Sequence, residues 1–466
     1  MNKRSRSLGT VFLGAFIILI INLTYLQVFA ANKISSHPGN KRALAKEASI
    51  ERGKILSADN RILADNRIGE NIYVRTYPEG ETASAIIGFN SIKYGRAGIE
   101  LTYNDYLLGK REVTSIEDYI KGIAGEKIPG NDIILTINYS LQKEAFEALG
   151  NNRGAIVALE PKTGAVLAMA TTPAFNPNTL DEDWETLIND SSAPLINRAI
   201  QGLYPPGSSF KIITASAAID SGTTAFDSIY KSPGEIEVHG NIVSNYKKED
   251  LGEIPLDKAF ALSANTAFAQ IGLDLGADKL VKYAEGFGLN HQIPFNLPVK
   301  TSSIPAPKKM DDVDVAWGAI GQADVLVTPL QMALVGSSIA NEGTVMKPFL
   351  VKEIRDHRGI IVKSFEGKKW LKPIEQTTAK EIAEMMIKTV EEGTGEAAQI
   401  SNISVAGKTG TAEVANSDPH AWFIGFAPAQ NPKIVVAVIV ENGGLGSKGA
   451  APLAKRVIQK ALTLTK

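Results

Sequence analysis

The sequence contains no cysteine in 466 residues, so disulfides, thiolate metal ligands and cysteine nucleophiles are all excluded. It also has no block of Lys and Arg. Its 49 basic residues face 50 acidic ones for a formal net charge of -1, which leaves no electrostatic footprint for gripping a polyanion and argues against nucleic acid as a partner. The five histidines, His37, His239, His291, His357 and His420, show no metal-ligand spacing, and neither a metal nor another cofactor is expected. His420 could border a cleft, although a surface-loop histidine is the plainer reading. Repeats and low-complexity tracts are missing as well. What remains, at 44% hydrophobic and 21% charged residues, is enough to bury two or three folded units. Serine chemistry then leads among nucleophilic mechanisms.

One long hydrophobic run is present. Lys3, Arg4 and Arg6 precede an uncharged stretch from Ser7 to Ala31 rich in Leu, Ile, Val and Phe, long enough to span a bilayer. A cleaved signal peptide, with Val28 and Ala30 before the cut, is the alternative; the length of the run favours a retained anchor. Lys33, Lys41, Arg42 and Lys46 follow as closely as the first three basic residues precede, so charge counting does not set the orientation.

The chain divides into a tip and transmembrane anchor at 1–31, a scaffold at 32–150 and a larger unit at 151–466. Gly53 to Leu56, the turn-prone Asp59-Asn60 and Arg61 to Ala64 predict a small hairpin. Asp132 to Asn138 reads as strand, and Leu141, Ala145 and Leu149 recur at helical spacing. Asn151-Asn152-Arg153-Gly154 then breaks the pattern. Beyond it, Ala155 to Leu159 and Ala165 to Ala170 flank a turn at Pro161-Lys162-Thr163-Gly164, and Trp422 to Phe426 and Ile434 to Val440 are two more strand candidates. Strands at both ends with helical segments between them predict an α+β fold whose sheet is assembled from distant parts of the chain.

Three short motifs carry the chemistry. In Tyr204-Pro205-Pro206-Gly207-Ser208-Ser209-Phe210-Lys211 the Pro-Pro-Gly break is followed by an Ala/Ile-rich helix, so Ser208 falls at the helix N-terminus among unpaired N–H groups. Lys211, three residues on, shares its helix face, whereas Ser209 is rotated away. Taken alone, the pair is most often a helix cap and a solvated charge. A lysine buried beside Phe210 and Ile212 would instead lose solvation and approach a useful base. Ser263-Ala264-Asn265, within or at the edge of a helical segment at 259–271, could relay a proton through Ser263 and donate to a substrate amide through Asn265, although a lone Ser-x-Asn is usually a polar turn. In Lys408-Thr409-Gly410-Thr411, a strand lining a cleft, Lys408 and Thr409 could receive a carboxylate, Gly410 would admit a close backbone approach, and the N–H of Thr411 could complete an oxyanion hole. A phosphate-binding loop is excluded there, because Asn402 stands where that motif needs glycine and strand follows instead of helix.

The order Ser-x-x-Lys, Ser-x-Asn, Lys-Thr-Gly is the set of β-lactamases and penicillin-binding proteins. The sequence resembles a class B penicillin-binding protein over nearly everything after residue 50. Arg52-Gly53-x-Ile55 with Leu63-Ala64, Gly98-Ile99-Glu100, Leu135-Thr136-Ile137 with Leu141-Gln142, and Pro161-Lys162-Thr163-Gly164 are similar to the family's scaffold signatures. Gly321-Gln322, Thr328-Pro329-Leu330-Gln331 and Trp422-Phe423-x-Gly425 are similar to its later ones. The short N-terminal region, with Asn40-Lys41-Arg42, resembles the small penicillin-binding protein A type of Gram-positive bacteria.

The resemblance implies an antiparallel sheet with helices, a β-rich scaffold and one transmembrane helix, with the catalytic domain outside the cytoplasm. It implies peptidoglycan stem peptides as D-Ala-D-Ala donor and amine acceptor, β-lactams as inhibitors that acylate Ser208, and a membrane glycosyltransferase of the shape-and-division class as companion. By the same resemblance Lys211 is the general base, Ser263 and Lys408 pass a proton to the leaving amine, and Asn265 holds an amide. Thr409 and Thr411 bind the substrate carboxylate beside Gly410, and the backbone N–H groups of Ser208 and Thr411 form the oxyanion hole. Ser57-Ala58-Asp59-Asn60 departs from the family's Asp-Arg-Asn-Gly turn. No large dimerisation or pedestal insertion is evident, which favours a compact, monomeric ectodomain. A D,D-carboxypeptidase, a β-lactamase and a catalytically silent β-lactam sensor share the motif set. A β-lactamase would need a carboxylate to activate deacylating water, and none is identified; a sensor would need further spans or a signalling segment.

Overall fold

The computed structural model describes residues 3–26, 47–69, 72–110 and 128–464. Helix α1, Lys3–Thr24, begins the chain. Its side chains Leu8, Val11, Phe12, Phe16 and Ile20 are exposed. Among the described residues no helix is long and apolar enough to cross a membrane. The uncharged run read as a span continues to Ala31, past the last described residue of this segment, Leu26. Asn40-Lys41-Arg42 lies outside the described residues.

The N-terminal part is built on a mixed six-stranded sheet. Strands β1 (Ile55–Leu56), β2 (Ile62–Ile68), β3 (Tyr73–Thr76) and β4 (Asp132–Leu135) supply four members. The predicted hairpin is present as antiparallel β1 and β2, and Asn60 takes the left-handed backbone its turn requires, with φ 60°. Ser57 Oγ donates to Asp59 Oδ1 at 2.6 Å, and the same oxygen accepts from Tyr139 N at 2.9 Å, so the departing turn ties to the next element through Asp59. That element is α2, Tyr139–Leu149, capped by the Asn138 side chain on Leu141 N, with Leu141, Ala145 and Leu149 buried on one face.

The larger unit contributes β5 (Gly154–Leu159) and β6 (Val166–Thr172), then much later β7 (Val351–Arg355) and β8 (Ile361–Ser364). β7 pairs with β4, so the N-terminal sheet runs β8-β7-β4-β1-β2-β3 and is shared between two stretches of chain about two hundred residues apart. The second sheet is antiparallel and five-stranded. Its order is β9-β10-β11-β5-β6, with β9 (Ala406–Val414), β10 (Ser417–Ala427) and β11 (Ile434–Val440) arriving from the C-terminal part. Every residue of β11 is buried, because alternate side chains enter two different cores. Val435, Ala437 and Ile439 face the core that contains the helix Pro329–Ala340; Ile434, Val436, Val438 and Val440 pack with α2 and the C-terminal helix Ala451–Leu464. Helices therefore cover both faces of this sheet, and β9 and β6 are its edge strands.

A buried charge cluster sits under the N-terminal sheet. Glu100, fully buried, accepts from Arg52 Nε at 2.7 Å through one oxygen and from Arg75 Nε at 2.6 Å through the other. Burial pushes the Glu100 carboxyl up, but Arg75 and Arg52 outweigh it and hold the group below its ordinary range. Two signatures far apart in the chain, Arg52-Gly53 and Ile99-Glu100, thus meet in one ion cluster. Glu100→Gln strands two buried guanidinium groups and should cost about 3–5 kcal/mol. Thermal unfolding of the purified variant checks this, and an unchanged midpoint would show the cluster to be dispensable.

Candidate active site

The turn that presents Ser208 is made by glycine and by close packing. Gly207 has φ +51°, and a Cβ there would stand 2.5 Å from Thr411 O. The chain then turns through one 3-10 segment, Gly207–Phe210, into helix α3, Lys211–Asp220. Ser209 is fully buried and its Oγ donates to Pro206 O at 2.7 Å, so it is occupied as the backbone's own partner. Ser208 lines a cavity of about 560 Å³ together with Ser263, Asn265, Thr409 and Thr411. The three sequence motifs therefore meet at one place.

Lys211 and Lys408 are both fully buried behind that cavity. Lys211 Nζ donates to Ser263 O and Asn265 Oδ1, each at 2.7 Å, and to Ser263 Oγ at 3.2 Å, and it stands 5.3 Å from the Phe268 ring centre. Among the described residues its hydrogen bonds do not include Ser208, although the two share one turn. Burial, and then the like charge of Lys408, hold the Lys211 ammonium well below the ordinary lysine range. Lys408 Nζ donates to Thr409 O at 3.2 Å and lies 5.5 Å from the Phe260 ring centre; burial lowers it to about 7. Among the described residues no carboxylate forms an ion pair with either lysine. Near neutral pH the pair can therefore hold an amine with a free lone pair.

Ser263 occupies the corner between helix α4, Leu256–Ala261, and helix α5, Asn265–Gly286. Its φ of +60° is left-handed for a side-chain-bearing residue, a strain on the order of 1–3 kcal/mol that the surrounding packing sustains. Asn265 opens α5, and its Nδ2 donates to Ser244 O at 2.9 Å. Among the described residues that is the one hydrogen bond its amide donates, so one of its two amide hydrogens is used there.

Strand alternation sorts the third motif. Thr409, Thr411 and Glu413 line the cavity at every second position of β9, while Lys408 turns inward. Gly410 lies against the Ser208 turn: a Cβ there would meet Pro206 O and Trp422 Cβ at 2.9 Å and Ser209 N at 3.1 Å. Thr409 Oγ1 is 2.5 Å from Thr394 Oγ1, and Thr411 Oγ1 accepts from Gly446 N at 3.2 Å.

Several lining residues were not singled out from sequence. Thr394 sits in a turn between Gly393 and Gly395, and its only sequence signal is that glycine bracket. Tyr246, Lys247 and Trp317 come from segments with no motif at all. Gln322 belongs to the Gly321-Gln322 signature, and Gly321 O accepts from Gly207 N at 2.8 Å, which gives that signature its place beside the Ser208 turn. His420 is not a loop residue as expected. It lies in β10 opposite Ala412, half-buried, with Nδ1 accepting from Asn442 N at 3.0 Å and its ring edge-on to Tyr204. Burial lowers its affinity for a proton.

Residues 154–459 match the family model of the penicillin-binding protein transpeptidase domain. Residues 52–133 match that of the penicillin-binding protein A dimerisation domain, so a dimerisation module lies within the short scaffold segment. The chain is 34% identical to the peptidoglycan D,D-transpeptidase PbpA of Mycolicibacterium smegmatis over 99% of both chains. The ceftriaxone acyl-enzyme complex of penicillin-binding protein A from M. tuberculosis superposes with a TM-score of 0.85 at 32% identity, covering 90% of this chain and 99% of that one. The D,D-transpeptidase domain of a peptidoglycan glycosyltransferase from Eggerthella lenta gives 0.83 at 37% identity, with coverage of 90% and 99%. By its motifs, its two family modules and its full-length relatives, the chain belongs to the class B penicillin-binding protein transpeptidases.

Proposed function

We propose that this protein is a peptidoglycan D,D-transpeptidase working through a Ser208 acyl-enzyme. The observation that carries this reading is the convergence of Ser208, Ser263, Asn265, Thr409 and Thr411 on one cavity backed by two buried lysines. Ser208 Oγ attacks the carbonyl between two D-alanines while its proton passes to the neutral amine of Lys211. The oxyanion is received by the backbone N–H groups of Ser208 and Thr411, whose segments the Gly207 and Gly410 contacts press together. Ser263 and Lys408 return a proton to the departing D-alanine amine. Thr409 and Thr411, flanking Gly410, hold the donor's terminal carboxylate, and the free Asn265 hydrogen meets the donor's amide. An amine from a second stem peptide then attacks the ester, freeing Ser208 and forming the crosslink. A β-lactam follows the first half of this route and remains on Ser208; the ceftriaxone and imipenem acyl-enzyme complexes of one relative, penicillin-binding protein A from M. tuberculosis, support that outcome.

The same reading takes residues 1–31 as a retained, single-pass membrane anchor with the catalytic unit outside the cytoplasm. It is supported by the apolar side chains that α1 leaves exposed. A membrane glycosyltransferase of the shape-and-division class is the companion such an anchor would meet. Removal of residues 1–31 should move the protein from the membrane fraction to the soluble one; a truncated chain that still sediments with membranes would sink the anchor.

Covalent labelling by a fluorescent penicillin should vanish in Ser208→Ala and persist in Ser209→Ala, and label retained in Ser208→Ala would refute the nucleophile. Incubation with a stem-peptide donor and an acceptor amine should give crosslinked product. Trimmed peptide alone, across good acceptors, would favour the carboxypeptidase instead.

The lysines set the pH dependence. Lys211 acts as a base only when neutral, so acylation falls as pH drops through its lowered value; Lys408 gives a proton only when charged, so the rate falls as pH rises through about 7. Single-turnover rates should therefore trace a bell. A rate that stays flat as pH crosses 7 would exclude Lys408 as proton donor.

A further inference from the structure

We propose that Tyr204 and Glu441 form a positioning clamp that fixes the Ser208 turn against the sheet during acylation, an inference that rests on the acyl-enzyme reading above. Tyr204 precedes the nucleophile by four residues, and Pro205 and Pro206 between them have restricted backbones. A displacement at Tyr204 is therefore carried to Gly207 and Ser208 instead of being absorbed. The backbone of Tyr204 is bonded at both ends to Val327, N to O at 3.0 Å and O to N at 2.8 Å. Its ring lies edge-on to Trp422 at 6.2 Å and to His420 at 5.6 Å.

The Tyr204 hydroxyl donates to Glu441 Oε1 at 2.8 Å. Glu441 directly follows β11 and is held from three sides. Arg198 Nε reaches the same oxygen at 2.8 Å, Arg153 Nε reaches Oε2 at 3.0 Å, and the Glu441 N–H donates to Arg153 O at 2.7 Å. The acceptor of the Tyr204 hydroxyl is thus itself immobilised. On the other side of the turn, Trp422 Nε1 donates to Pro205 O at 3.0 Å, and Trp422 is the cross-strand partner of Gly410. The turn is gripped at Tyr204 by Glu441, just past β11, and at Pro205 by β10, next to the strand that bears Thr409 to Thr411.

Packing alone does not call for this arrangement. A phenylalanine would fill the same aromatic niche, and burying the Arg198 guanidinium with a carboxylate carries a desolvation cost that an apolar contact avoids. What the hydroxyl and the carboxylate add is direction. Oxyanion stabilisation depends on donor placement within tenths of an ångström, and misplacement by about 1 Å can lower a rate on the order of 100-fold.

The test is the split between binding and acylation by a fluorescent penicillin in the full chain. In Tyr204→Phe the limiting acylation rate should fall about 10- to 100-fold, with the dissociation constant of the initial complex and the unfolding midpoint close to wild type. Glu441→Gln should fall comparably, and the double variant no further than the worse single one, because both remove the same clamp. Acylation at the wild-type rate in Tyr204→Phe overturns the clamp while leaving the acyl-enzyme reading intact. A Tyr204→Phe variant that loses binding, rate and unfolding midpoint together overturns it in favour of a merely structural role. Wild-type protein that is never labelled overturns both readings.

Discussion

Two ammonium groups, Lys211 and Lys408, are withdrawn from water into one interior without a carboxylate among the described residues to neutralise them. Desolvating a single unpaired charge is costly, and desolvating two of like sign is costlier still, so the interior weakens the hold of both lysines on their protons. Much of the site follows from this constraint. The acceptors of Lys211 are neutral oxygens of Ser263 and Asn265, and its other neighbour is the face of Phe268. A carboxylate in that position would make Lys211 a permanent cation and remove its lone pair. The fold withholds one and spends backbone strain at Ser263 to aim two oxygens at the amine.

Holding that arrangement requires three unrelated segments to touch. Helix α3 brings Lys211, the corner before α5 brings Ser263 and Asn265, and β9 brings Lys408 to Thr411. The contact between the nucleophile turn and β9 is backbone on backbone, which is why glycine stands at 207 and 410: any side chain would push the turn off the strand. Position 207 also needs a left-handed φ, so two separate steric demands select the same residue. Behind the strand, helices pack on both faces of the five-stranded sheet and hold β9 in place although its outer edge is open.

The remote N-terminal part obeys a different rule. There a buried glutamate is fully paired with two arginines, so charge is retained and locked. Comparing the two interiors shows how partner chemistry decides the outcome of burial: opposite charge keeps Glu100 ionised, and the lack of it lowers the affinity of Lys211 and Lys408 for protons. One cluster keeps its charge; the other gives up its protons more readily.

Much of this was legible in the chain itself, because its signals are local. The Pro-Pro-Gly break before an Ala/Ile-rich run sets the start of α3, the glycine-bearing β9 motif sets a close approach, and short apolar runs set β5, β6, β10 and β11. Helix-face geometry separated Ser208 from Ser209, and the structure adds that Ser209 is bound to Pro206 O. Non-local outcomes were not legible. Whether Lys211 bonds to Ser208 or to Ser263 and Asn265 depends on which segment packs above it. Strands at 351–364 join a sheet begun near residue 55, and His420 lies in a strand although the sequence suggested a loop. The chain by itself determined which residues could carry the chemistry, since residue type and spacing are fixed along the backbone. Only the tertiary structure decided their protonation and their partners, because desolvation and hydrogen bonding depend on what surrounds a group in space.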